Sequence, residues 1–299
     1  MKIAVLLGGW SPEREVSLDS GRCVADGLRQ LGHEVFEIDV KKDLRSLTDD
    51  LYGCSPDVIF NVLHGIGGED GVIQGVLELF GVPYSSSGVL GSAIAFDKAI
   101  CKELAKAKGI KVADGFEITK EEIASIDMEY PFVVKPANNG SSIGVFLIFN
   151  DSDFHRLKEI EWNFGDKILV EKYIGGREFT VMVLDGKAVG IVEITCKREF
   201  YDYSSKYEIG GSTHLSNFEL DESTVNEMFD MSEKVFKACC CRGIARADFR
   251  YDGEKVYFLE LNTQPGLTTL SLVPDIARFK GTSFEELLEK VIEVTSGSR

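Results

Sequence analysis

Three oxygen-bearing side chains, Asp248, Glu260 and Asn262, sit in two apolar segments, GIARADFRY and KVYFLELN, joined by Asp252-Gly253-Glu254. Glu260 and Asn262 are two apart, so on a strand both leave the same face. Arg246 and Asp248 share a face on the partner segment. A three-residue turn puts Arg246 opposite Glu260 and Asp248 opposite Phe258. A two-residue Asp252-Gly253 turn splits the two sets onto opposite faces unless a bulge intervenes. Carboxylate and amide oxygens of this kind are what Mg²⁺ accepts, with substrate phosphates completing its shell. The rival reading is a solvated polar strand face with an Arg–Glu pair. Two acids and an amide in so apolar a hairpin would be costly if buried unpaired.

A second segment, Lys135 to Gly144 (KPANNGSSIG), lies between two apolar runs. Gly140, Ser141, Ser142 and Gly144 can turn backbone N–H groups toward a phosphate, and Lys135 can add a charge. A flexible hairpin turn would look the same. No G-x-x-x-x-G-K-[ST] loop occurs in the chain. A third segment, TQPGLTTLSLVP, carries Pro265-Gly266, whose Gly266 N–H could form an oxyanion-stabilising pair with Arg246.

The surrounding elements must hold these groups. Residues 3–7 (IAVLL) form a continuous apolar run typical of a buried parallel strand. Ser11-Pro12 should start a helix that runs to about Leu31, and Gly32 should end it. HEVFEIDV and DVIFNVL read as further strands, and strand–helix–strand alternation implies a parallel α/β unit. The glycine loop HGIGGEDG then leads into the helix VIQGVLELFG. Residues 92–109 read as one helix. From residue 131 short strands dominate, with Asp185-Gly186 as a hairpin turn. Residues 198–217 are polar and aromatic without a period, as lids often are. Helices are expected over 221–242 and 283–295. Pattern changes suggest units 1–95, 96–180 and 181–299.

Composition narrows the function classes. The 299 residues carry 33 Lys+Arg against 49 Asp+Glu, a formal charge of −16, so phosphate backbones and anionic membranes are poor partners. No nucleic acid and no membrane are expected. Seven cysteines, an odd number without any C-x-x-C, fit free thiols in a reducing cytoplasm. No apolar run reaches the ~18 residues of a membrane span, and the Met1 segment lacks a signal-peptide cleavage site.

Taken together, LLGGWSPEREVSLDSG, HGIGGEDGVIQGVLELFGVPYSSSG, Asp97-Lys98, VVKPANNGSSIGV, EKYIGGREFTV, FYDYSSKY, and ARADF with LELNTQPGLTTLSLVP resemble the D-alanine–D-alanine ligases, of the ATP-grasp superfamily. The resemblance spans nearly the whole chain. Trp10 and the Ser204-Ser205 pair depart from the usual pattern without removing a chemical group. The resemblance implies an α/β, three-domain ATP-grasp fold with an N-terminal parallel α/β domain, and a homodimer. It implies ATP-dependent joining of two D-alanines through an acylphosphate, for peptidoglycan precursors.

Position by position, it implies Lys98, Lys135 and Lys206 at the phosphates of ATP. Glu171, Lys172 and Ile174 would meet adenine, and Glu178 the ribose. Asp248, Glu260 and Asn262 would hold two Mg²⁺ (or Mn²⁺). Glu13, with His64 nearby, would take the ammonium of the first D-alanine. Glu13, Ser141 and Tyr207 would latch the loop 198–213 as a lid. Arg246 and the Gly266 N–H would hold the oxyanion, and Ser271 and Leu272 the second D-alanine. A sister ligase for D-lactate or D-serine is the nearest rival, with Tyr207 the discriminating residue. A nucleotide-binding regulator with a dead site predicts lost lysines or metal ligands, and all are present. A dinucleotide-binding fold lacks its G-x-G-x-x-G after IAVLL.

Overall fold

The computed structural model describes residues 1–140, 143–196 and 212–297. Ser141, Lys206 and Tyr207 lie outside the described residues, as does the expected lid apart from Ser212 and Thr213.

The first layer is a parallel sheet of order β2-β1-β3, from β1 (Lys2–Gly8), β2 (Glu34–Val40) and β3 (Val58–Asn61). Ile3 through Leu6 are fully buried, as an unbroken apolar run requires. Helix α1 spans Arg14–Gln30 and starts later than Ser11 suggested. The Ser11 hydroxyl instead donates to the His64 carbonyl (2.6 Å) and accepts from the Glu13 N–H (3.1 Å). It thereby ties the loop after β1 to the glycine loop after β3. Helix α2 (Leu44–Cys54) joins β2 to β3 and was not expected, although Asp43 caps it on the Arg45 and Ser46 amides.

Helix α3 (Val72–Phe80) follows the glycine loop. The single helix expected over 92–109 is two, α4 (Val89–Phe96) and α5 (Lys98–Ala107). Asp97 breaks them: its backbone is extended, and its carboxylate accepts from the Ala99 and Ile100 amides. Lys98 is therefore the first residue of α5.

The second sheet is antiparallel, of order β4-β7-β5-β6. It comprises β4 (Gly115–Thr119), β5 (Phe132–Pro136), β6 (Phe146–Ile148) and β7 (Lys167–Lys172). Helix α6 (Asp151–Glu159) covers it, with Leu157 and Trp162 on a core of Phe132, Val134, Ile168 and Val170.

The third sheet, order β10-β9-β8-β11-β12, comprises β8 (Arg177–Leu184), β9 (Lys187–Cys196), β10 (Ser212–Leu215), β11 (Ile244–Tyr251) and β12 (Val256–Asn262). Asp185 and Gly186 both take positive φ in the β8–β9 turn, as expected. One face packs on helix α7 (Glu222–Ala238) and on Cys101 and Ala105 of α5. The other face meets helix α8 (Leu272–Phe279), helix α9 (Phe284–Gly297) and the first layer in one continuous cluster. That cluster joins Ile3, Phe60 and Leu28 to Met182, Val192 and Val273. Among the described residues no helix is long and apolar enough to cross a membrane.

Candidate active site

The β11–β12 hairpin closes through Asp252–Lys255, with the Asp252 N–H on the Lys255 carbonyl, so neither shorter turn is used. From Tyr251↔Val256 to Phe249↔Phe258 the pairing is regular, and then the register shifts between Asp248 and Phe249. Leu259 is the extra residue. Asp248 consequently lies opposite Glu260, and Arg246 opposite Asn262. This replaces the expected pairing of Arg246 with Glu260 and Asp248 with Phe258. In unbroken register Glu260 would oppose Ala247 and leave the other face, so the bulge is what gathers the four polar side chains.

Each of the four is held. Asp248 is buried, accepts from the Thr180 hydroxyl, and lies 3.3 Å from Arg246 Nη1. Glu260 Oε2 lies 3.4 Å from Lys98 Nζ. Asn262 Oδ1 accepts from the Gln264 N–H at 2.8 Å. Among the described residues no three His, Cys, Asp or Glu converge as a metal site, and here the third donor is an amide oxygen.

Two clefts flank this hairpin. The first brings together Lys98, Lys135, Glu171, Lys172, Ile174 and Glu178 with Asp248 and Glu260. Glu178 Oε2 lies 3.2 Å from Arg250 Nη1, and Arg250 also donates to the Ile174 carbonyl and the Tyr173 hydroxyl. Glu171 is buried between two lysines: Lys102 donates to Oε1, and Lys135 lies 2.6 Å from Oε2. Burial opposes the ionised carboxylate, but the two ammonium groups outweigh it and pull Glu171 down to about 2. Burial likewise opposes charge on Lys135, and Glu171 more than restores it, leaving Lys135 raised.

The second cleft, about 570 Å³, brings together Glu13, His64, Arg246, Asn262, Gly266, Ser271 and Leu272. Gly140 belongs to both clefts. A Cβ at Gly140 would fall 2.6 Å from Glu13 Oε2, and one at Gly65 would fall 2.7 Å from the same oxygen. Only glycine lets those two loops close on the Glu13 carboxylate. Ser271 is the N-cap of α8, yet its hydroxyl turns back to Thr268. The first-turn amides of α8 therefore border the cleft, a favourable place for a carboxylate.

His64 is buried, with Nδ1 3.3 Å from Glu69 Oε1; Nε2 has no hydrogen-bond partner among the described residues. Burial works against a charged imidazole. Glu69 by hydrogen bond and charge, then Glu13 and the Gln264 main chain, outweigh it and hold His64 above its usual range. In Glu69→Gln the burial should win. The His64 midpoint is expected to fall, read by NMR titration of the four histidines against wild type. An unchanged midpoint would remove Glu69 as the cause.

Residues 104–293 match the family model described as D-ala D-ala ligase C-terminus, and residues 49–87 match that described as D-ala D-ala ligase N-terminus. A D-alanine–D-alanine ligase of Rhodopseudomonas palustris (strain BisB18) is 42% identical, over 99% of this chain and 98% of that protein. The chain belongs to the D-alanine–D-alanine ligase family. A D-alanine–D-alanine ligase from Bacillus anthracis, complexed with ATP, superposes with TM-score 0.83 at 30% identity, over 99% and 97% of the two chains. The VanG D-Ala:D-Ser ligase of Enterococcus faecalis superposes with TM-score 0.81 at 27% identity, over 98% and 99%. The sequence resemblance and the ATP-grasp fold are thus borne out.

Within this ligase fold, sequence reasoning missed Glu69, Lys102, Arg250 and Gln264. Arg250 had a signal, because it alternates with Arg246 and Asp248 on β11. Gln264 bonds to the Asn61 carbonyl across 203 residues of chain, which no local pattern encodes.

Proposed function

We propose that this protein joins two D-alanines into D-alanyl-D-alanine with ATP, through an acylphosphate, to supply peptidoglycan precursors. The observation that carries the reading is the meeting of two clefts at the β11–β12 bulge. A lysine-lined cleft opens on one side, and a Glu13–His64 cleft opens on the other. Membership of the ligase family and the ATP complex of the Bacillus anthracis relative support the same nucleotide.

In this reading ATP fills the first cleft, with its phosphates toward Lys98 and Lys135 and its ribose at Glu178. Adenine lies along Glu171, Lys172 and Ile174. Asp248, Glu260 and Asn262 would hold two Mg²⁺ or Mn²⁺ ions. The donor set fits, because it is all hard oxygen at the edge of a phosphate cleft. When bound there, the ions would neutralise charge on the transferring phosphoryl group.

Glu13 takes the ammonium of the first D-alanine, with His64 beside it, and aims the carboxylate across Gly140 at the γ-phosphate. A carboxylate oxygen attacks phosphorus and ADP leaves. The free amine of the second D-alanine, held by its carboxylate at Ser271 and Leu272, attacks the acylphosphate carbon. Arg246 and the Gly266 N–H stabilise the oxyanion. The bond from carbon to phosphate oxygen then breaks, and the departing phosphate takes the proton that the attacking amine loses, releasing phosphate and the dipeptide. We also propose a cytoplasmic homodimer. Leu79 and Leu90 on α3 and α4, 91% and 60% exposed, supply apolar surface for a second copy.

Phosphate release from ATP tests the reaction. It should require D-alanine, fail with L-alanine, and give D-alanyl-D-alanine. D-lactate or D-serine incorporated in preference to a second D-alanine would instead favour the sister ligases. Release without any amino acid requirement would overturn the proposal.

A further inference from the structure

We propose that Lys102 is a positioning residue for the nucleotide: it holds one oxygen of Glu171 so that the other oxygen holds Lys135 at the phosphate end of the first cleft. The proposal rests on the ATP reading above.

Lys102 lies one turn after Lys98 on α5, so the helix sends two ammonium groups to one side. Lys98 reaches Glu260 at the front of the cleft. Lys102 reaches Glu171 behind it, and both partners of that pair are almost wholly buried. Lys135 takes the remaining oxygen of the same carboxylate. The result is a chain of ammonium, carboxylate, ammonium with one net positive charge.

Removing Lys102 changes what Lys135 can do. Both oxygens of Glu171 would then be free to turn onto Lys135, leaving a neutral pair where an anionic phosphate must bind. Burial and the charge of Lys135 already draw Lys102 down to about 8, against the opposing pull of Glu171 and Glu260. The fold therefore keeps this lysine charged at a cost, as a structural spacer would not require. An open cleft lined by Lys102, Glu171, Ala113 and Leu169 adjoins the pair.

The test compares wild type with Lys102→Met, Lys102→Gln and Lys102→Arg by equilibrium binding of MgATP and by steady-state kinetics. Thermal melts check folding. Lys102→Met and Lys102→Gln should each weaken ATP binding about tenfold, the scale of removing one charge about 12 Å from the phosphates at an effective dielectric of about 20. Both D-alanine constants should stay within about twofold, and Lys102→Arg should restore ATP binding. In a Glu171→Gln background Lys102→Met should add little. ATP binding unchanged in both uncharged variants would overturn the proposal. So would D-alanine constants that rise as much as the ATP constant, or an undiminished effect in the Glu171→Gln background. Absence of ATP binding by the wild-type protein would instead overturn the functional reading on which it rests. Two uncharged variants are made so that loss of folding in one leaves the other to decide.

Discussion

Folded Glu260→Gln protein is expected to lose turnover by at least about a hundredfold, because a metal clamp on a transferring phosphoryl group contributes several kcal/mol to the transition state. The substitution keeps the shape of the side chain and removes one charge. The fold should survive it, since Glu260 is only partly buried and its ion pair to Lys98 is made at the edge of the cleft. Melting temperature should therefore move little while phosphate release collapses. The Mg²⁺ concentration needed for half-maximal rate should rise in the same variant. Near-normal dipeptide synthesis by folded Glu260→Gln would sink the metal assignment for the whole Asp248–Glu260–Asn262 set.

The second large effect is expected at Glu13. Glu13 is 3% exposed, and its carboxylate is crowded by Gly65 and Gly140. A buried charge-assisted hydrogen bond to a substrate ammonium contributes about 1.5–3 kcal/mol. Glu13→Gln should thus raise the Michaelis constant for the first D-alanine by roughly 10- to 150-fold. The second D-alanine site and the ATP site should change far less, because neither is built on Glu13. The D/L preference follows from the same geometry. With ammonium on Glu13 and carboxylate toward the phosphate, the methyl groups of D- and L-alanine point in opposite directions. If only the ATP constant rose, or if L-alanine served equally well, Glu13 would be misplaced.

The parts legible in sequence are those governed by local pattern. The run IAVLL became a buried parallel strand, Asp185-Gly186 became a hairpin turn, and Gly32 ended α1 at positive φ. The family resemblance named about half of the residues that line the two clefts. What stayed hidden depends on partners distant in the chain. The bulge at Leu259 is visible only once β11 and β12 pair, yet it decides which face Glu260 takes. Asp97 looks like any polar helix residue until its carboxylate is seen capping α5. Helix α8 is hidden by the Pro265-Gly266 turn before it and by Pro274 in its own first turn, although Ser271 before Leu272 is an ordinary start signal. Lys102, in KAICKELAKAKG, reads as one more solvated lysine. Only tertiary packing buries it against Glu171.

In the proposed reaction one carboxylate oxygen of the first D-alanine is phosphorylated where the two clefts meet. Supplying D-alanine labelled with ¹⁸O in both carboxylate oxygens, with unlabelled ATP, tests it directly. The expected products are ADP, and inorganic phosphate carrying one ¹⁸O for each dipeptide formed, while the other label remains in the new peptide carbonyl. Unlabelled phosphate accompanying dipeptide, or AMP and pyrophosphate in place of ADP, would contradict it.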